Sequence, residues 1–355
     1  MNLRQQVGQL IIAGVEGTEL TALERAWLKL VRPGGVILFR RNSEEAQQVT
    51  ALLREVTEIA GAPLFRCVDL EGGLVDRLRD LIAPMPSPAA VFATGRSTNF
   101  TKHGWLIAQE AKLLGFNTVF APVLDLALPA SASVMCTRVV AANAEDAAEY
   151  ALAFVAGLDA EGILGCGKHF PGLGGGALDS HQATPLIQRR WKELWDEDIA
   201  VFRALAPKLA MIMVSHAAYP LVKDAVPASI SPYWISTVLK KRIGFDGLVV
   251  SDDMEMSGIL TQASMEEAAV KAVLAGMDVI EICRDPALIL RAYEALLAEA
   301  ERSPAFRRKV EAAAERVVEH KSRYLEAVMP RPASAAQIER LRTKVKKFAE
   351  EVSGA

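Results

Sequence analysis

The sequence predicts a single-domain (β/α)8 barrel of the TIM type with a helical C-terminal extension, on three observations. Short apolar runs alternate with amphipathic runs along most of the 355 residues, the pattern of a parallel α/β sheet. About eight such pairs fit within ~300 residues, which favours a closed barrel over an open sheet. The apolar runs also end in chemistry-bearing residues: Asp69, Asp125, Lys168, His169, His216 and Asp252 each fall at the C-terminal end of one. That end is the catalytic face of a barrel, whereas a doubly wound sheet concentrates function at one switch point.

The elements follow in order. GQLIIAGV (8–15) precedes TALERAWLKLVRP, which stops at Pro33 and the Gly34–Gly35 pair. GGVILF (34–39) precedes SEEAQQVTALLREVTEIAG, where Ser43 is the expected N-cap and Gly61 the stop. PLFRCVDL (63–70) ends in Asp69 and is followed by Glu71, Gly72 and Gly73. TVFAPVLDL (118–126) again ends in acid, and residues 163–168, 209–216, 247–253 and 278–283 supply the remaining strands. The barrel is expected over residues 1–303. The charged helical pattern of 304–355 is expected to pack on the barrel wall, an oligomer contact being the alternative.

Composition excludes several classes. A chain that is 51% hydrophobic and 23% charged is far from disordered. A net charge of −3 gives no general pull toward nucleic acid or anionic membrane. The N-terminus MNLRQQVGQLIIAGVEG makes a poor signal peptide, and no apolar stretch approaches a bilayer span. A cytoplasmic protein is therefore expected. Cys67, Cys136, Cys166 and Cys283 are scattered without zinc-type spacing, and all four read as buried free thiols.

The chemistry concentrates in residues 163–181, ILGCGKHFPGLGGGALDSH. An apolar run reaches Lys168 and His169, and a glycine-dense loop then carries Asp179 and His181. A carboxylate beside an imidazole stabilises its protonated form and fixes its orientation, so the pair suits general acid/base work. Gly172, Gly174, Gly175 and Gly176 permit backbone excursions that would swing the pair over a substrate. The glycines match neither a dinucleotide fingerprint nor a P-loop. Asp252 and Asp253 close the run GLVV, and successive strand residues face opposite ways, so one is expected to enter the site. Nucleophile and metal ligand are both open roles for it.

KHFPG followed closely by DSH, with VDLEGGLVDRLR before and GLVVSDDMEM after, resembles family 3 glycoside hydrolases. More narrowly it resembles the single-domain β-N-acetylhexosaminidases that release N-acetylglucosamine from peptidoglycan fragments. The likeness covers about residues 1–300 and includes MIMVSHAAYP and PASISP. It implies a barrel, a retaining mechanism, no cofactor and a carbohydrate as partner; no metal is expected, since no ligand spacing demands one, and charge and hydropathy point to neither nucleic acid nor membrane. The likeness also implies roles. Asp252 matches the nucleophile, His181 the acid/base and Asp179 its supporting acid. Asp69, Arg77, Arg138, Lys168 and His169 match sugar-binding positions. Leu70, Leu74, Leu173 and Gly174–Gly176 depart from the pattern, polar positions having become apolar or bare, and are expected to alter substrate preference or rate. A β-glycosidase of other specificity, a non-catalytic sugar binder and a metal-dependent hydrolase are the alternatives.

Overall fold

The structure, a computed structural model, describes residues 1–61, 63–176, 184–223, 225–325 and 328–354. Ten strands occur among the described residues: β1 (Ile11–Gly14), β2 (Gly35–Leu38), β3 (Phe65–Val68), β4 (Leu70–Gly72), β5 (Val75–Asp76), β6 (Thr118–Val119), β7 (Leu164–Phe170), β8 (Met211–Val214), β9 (Leu248–Asp253) and β10 (Val279–Ile282). Eight of them close into a barrel in the order β1-β2-β3-β6-β7-β8-β9-β10, with β10 pairing back onto β1. The barrel pairings are all parallel. β4 and β5 form a separate antiparallel pair directly after β3.

The strands are apolar on both faces because helices cover the outside while side chains fill the inside. Ile12, Ile37, Phe65, Cys67, Phe120, Cys166, Met211, Val250 and Val279 make the interior cluster. The alternate residues join the larger cluster between sheet and helices. Local signals set the helix ends. Thr21 and Glu24 form a reciprocal capping box before helix Ala22–Val31, and Ser264 caps helix Met265–Ala275.

Four local expectations are corrected. Gly8 and Gln9 belong to an N-terminal helix, Leu3–Gln9, held by an Asn2–Gln5 capping box rather than to the first strand. Helix Ala46–Ala60 starts after Glu45, because the Ser43 hydroxyl donates instead to the Phe39 carbonyl at 3.1 Å. The strand expected over 118–126 shrinks to Thr118–Val119. Pro122 has no N–H for the ladder, and only a bridge from Val123 to Lys168 continues the pairing. Cys136 is exposed while Cys67, Cys166 and Cys283 are buried. Its position in a turn at φ 47° keeps it out of the core.

Helix Pro304–Tyr324 packs on Leu3–Gln9 and Pro286–Arg302, and helix Ala335–Ser353 packs on Ser97–Leu113 and Pro88–Ala93. Val317 of the former is fully buried within the interior cluster, so this helix stoppers the N-terminal end of the barrel. No helix among the described residues is long and apolar enough to cross a membrane.

Candidate active site

The opposite end of the barrel opens into a polar cavity of about 200 Å³. Asp69, Arg77, Arg138, Lys168, His169 and Asp252 all line it, contributed by segments far apart in the chain. Asp179 and His181 lie outside the described residues. Gly176 and Pro185, on either side of that segment, also line the cavity.

Strand parity explains who faces inward. Leu248 and Val250 point into the barrel, so Asp252 follows them and reaches the cavity. Its Oδ1 accepts the Asp253 N–H at 2.9 Å. Burial works against its charge, but His169, His216 and that N–H outweigh burial and hold the carboxyl below its ordinary value. Asp253 also touches the cavity, yet its Oδ1 is occupied by the N–H groups of Glu255 (3.0 Å) and Cys283 (3.3 Å). Burial, with Glu255 and Asp252 nearby, pushes Asp253 up to about 7.

Opposite Asp252, a compact charge network forms. Lys168 Nζ donates to Asp69 Oδ1 at 2.8 Å and lies 2.7 Å from Glu71 Oε1. Arg138 donates from Nε and Nη2 to the two Glu71 oxygens at 2.8 and 2.9 Å, a bidentate fork. Burial raises the cost of charge on Glu71, but Arg138 and Lys168 overcome it and hold the carboxyl well below the usual range. The same contacts keep Lys168 and Arg138 above their ordinary values despite burial. Arg77 stands further out, 3.8 Å from Asp69 and about one-third exposed, with its guanidinium 5.8 Å from the Phe39 ring.

His169 is oriented rather than free. Its Nδ1–H donates to Asp125 Oδ2 at 2.7 Å, and the same carboxylate accepts the backbone N–H of His169 and of Leu173. Asp125 thus ties the end of β7 to the start of the glycine loop. The Lys168–His169 and Phe170–Pro171 peptides are cis. His216, buried behind Asp252, donates from Nε2 to the Asp253 carbonyl (2.9 Å) and shares a hydrogen bond between Nδ1 and the Ser229 hydroxyl (2.7 Å). Burial lowers its pKa while the Asp252 carboxylate pulls the other way.

The glycines are packed, which differs from the expectation of free excursion. A Cβ on Gly174 would sit 2.6 Å from the Leu126 carbonyl oxygen, and Gly172 combines φ 130° with a Cβ position 2.7 Å from Asp198. The residues that depart from the resemblance also separate. Leu70 is fully buried and Leu74 is 60% exposed, and neither lines the cavity; Leu173 does. Sequence reasoning missed Glu71 and Glu281 as cavity residues. The apolar–acid–apolar run DVIEIC carried the signal for Glu281, since Glu281 shares the inward parity of Val279 and Cys283.

A closed parallel barrel with carboxylates and fixed cations gathered at the C-terminal ends of its strands has the site of a (β/α)8 enzyme. Residues 2–320 match the model of the glycosyl hydrolase family 3 N-terminal domain. The chain belongs to that family and is a glycosyl hydrolase, so its substrate is a carbohydrate. A β-hexosaminidase of Thioalkalivibrio sulfidiphilus is 37% identical over 293 residues, covering 81% of this chain and 84% of the relative. A family 3 β-N-acetylglucosaminidase from Paenibacillus has a solved structure with TM-score 0.88 and 30% identity, covering 98% of this chain and 69% of that one. A β-N-acetylhexosaminidase from Beutenbergia cavernae gives TM-score 0.84 and 28% identity, covering 91% of this chain and 99% of that one.

Proposed function

We propose that the chain is a retaining β-N-acetylhexosaminidase that removes terminal β-linked N-acetylglucosamine, in the cytoplasm, from peptidoglycan-derived fragments. The names of its relatives support the sugar. The observation that carries the mechanism is Asp252: a carboxylate held below its ordinary pKa, inside a cavity, facing an anchored Asp69–Lys168–Glu71–Arg138 network.

In this reading Asp252 attacks the anomeric carbon and His181, oriented by Asp179, protonates the departing oxygen. His181 then deprotonates the water that cleaves the glycosyl–enzyme bond. Asp69 accepts from sugar hydroxyls, while Lys168, His169, Arg138 and Arg77 hold the sugar. The entry and exit of the 177–183 segment at the cavity wall suit an acid/base carried on it. No cofactor or metal is needed. The test is to trap the covalent intermediate with a slow fluorinated substrate and map it by peptide mass spectrometry. The adduct is expected on Asp252, and Asp252→Ala is expected to abolish turnover of an aryl N-acetyl-β-glucosaminide. An adduct elsewhere, or an active Asp252→Ala enzyme, would sink the assignment.

A further inference from the structure

The cavity contains an acid for which the mechanism has no use. Glu281 is 3% exposed on β10, lines the cavity and shares the inward parity of Val279 and Cys283. The Cys283 thiol donates to its Oε1 at 2.9 Å, and Oε2 has no hydrogen-bond partner among the described residues. The nearby cation does not serve it: Lys168 is taken up by Asp69 and Glu71.

Barrel topology locates this carboxyl against the substrate. β3, with Asp69 just beyond its end, lies four strands from β9 in either direction, so a sugar held at Asp69 and attacked by Asp252 spans the barrel mouth. Lys168 on β7 occupies one flank of that span. Glu281 occupies the other, beside the nucleophile, since its Cα pairs with that of Asp253. A group beside the nucleophile is within reach of the sugar's C2 substituent, the one substituent borne by a ring atom bonded to the anomeric carbon. In an N-acetylhexosamine that substituent is the acetamido group, whose carbonyl is the strongest neutral acceptor on the sugar.

We propose that Glu281 donates a hydrogen bond from its carboxyl O–H to the acetamido carbonyl of the bound sugar, and so sets the preference for N-acetylated substrates. This rests on the N-acetylhexosaminidase reading above. The protonated form fits the surroundings. Burial pushes Glu281 well above the ordinary carboxylate range, and Asp69 and Asp253 push the same way. The titratable groups around it are Cys67 and Asp69 at β3, Cys166 and Lys168 on β7, Asp252 and Asp253 on β9, and Cys283 after β10. A carboxylic acid kept neutral in an apolar wall is a hydrogen-bond donor of established use, and a site built to bond one polar group discriminates against substrates lacking it.

The test compares kcat/KM for aryl N-acetyl-β-glucosaminide with that for the matching aryl β-glucoside. Glu281→Leu is expected to lower the ratio of the two by about tenfold or more, chiefly through KM for the N-acetylated substrate. Glu281→Gln, which keeps a neutral donor, is expected to preserve the ratio. In the wild type, KM for the N-acetylated substrate should climb at alkaline pH, and that limb should vanish in Glu281→Gln, which separates it from titration of Asp253. An unchanged ratio in Glu281→Leu, equal losses on both substrates, or a Gln variant that behaves like Leu would each overturn the proposal. Should Glu281→Leu fail to fold, the Gln variant and the wild-type pH profile still decide it. Inactivity of the wild type on both substrates would instead refute the N-acetylhexosaminidase reading. Calorimetric binding of free N-acetylglucosamine against glucose would then test Glu281 alone.

Discussion

The two ends of the barrel each bury a lysine, and the two lysines are opposites. At the open end Lys168 lies between Asp69 and Glu71, and those carboxylates more than offset burial, so its charge is secured. At the closed end Lys321 has, among the described residues, the Gln9 amide oxygen at 2.6 Å and the Phe65 ring at 5.3 Å, and no carboxylate. Burial there lowers its pKa to about 7. The residue type is the same and so is the near-complete burial; what differs is whether a carboxylate faces the amine. A buried amine that faces carboxylates keeps its charge, whereas one buried without a counter-ion is driven toward its neutral form.

Breaking the open end should have the larger effect. Lys168→Met leaves Asp69 and Glu71 facing each other, with Arg138 still on Glu71 and the partly exposed Arg77 3.8 Å from Asp69. Truncating one partner of a desolvated charge pair costs about 2–5 kcal/mol in binding, so kcat/KM on an aryl N-acetyl-β-glucosaminide is expected to fall at least ~100-fold. Stability should fall too, by up to ~3–5 kcal/mol, read from chemical denaturation. A variant with near wild-type kcat/KM would show that the network is scaffolding and that the sugar is held elsewhere.

At the closed end the sign reverses. A lysine whose folded pKa is near 7 and whose unfolded pKa is about 10.4 binds more protons when unfolded. Its destabilising contribution is complete below pH 7 and fades as pH rises toward 10. Lys321→Met should therefore be more stable than wild type at pH 7, with an advantage that shrinks by about 2 kcal/mol by pH 9. Urea unfolding at the two pH values measures this. A difference independent of pH would mean that Lys321 keeps its proton in the folded protein. Activity should not follow, since the helix lies at the far end from the cavity.

The two ends also differ in how much of them could be read from residues alone. Asp69, Lys168 and Asp252 were legible because each terminates an apolar run, and strand parity then turns each inward. Asp125 and His216 were visible as strand-end residues, but nothing local showed that one orients His169 and the other backs Asp252. Glu71 was obscure because an acid after a strand is usually solvated, and only the fold brings Arg138, 67 positions away, onto it. The closed end gave no warning. Val317 and Lys321 lie one helical turn apart on the same face, but a lysine at the edge of an apolar stripe ordinarily carries its amine out to water, so nothing local marked this one as buried. Burial of that face depends on where the helix docks, which is a tertiary fact.

The smallest effects should fall at the open end itself, and they sharpen which of its apolar departures matter. Leu70 packs into the helix-facing core and cannot touch a sugar. Leu74 is 60% exposed and away from the cavity, so Leu74→Ala should shift stability by no more than ~0.5 kcal/mol and leave kcat/KM within about twofold. Leu173 lines the cavity, and its backbone N–H is held by Asp125 at 2.6 Å, so truncating its side chain removes contact area without releasing the loop. Leu173→Ala is therefore expected to raise KM by roughly threefold, in keeping with ~1 kcal/mol for partly buried apolar surface, with kcat little altered. A larger kcat loss in Leu173→Ala than KM change would place the leucine in the presentation of the acid/base rather than in the wall of the sugar site. A measurable effect of Leu74→Ala would mean that the substrate reaches beyond the cavity, onto the turn after β4.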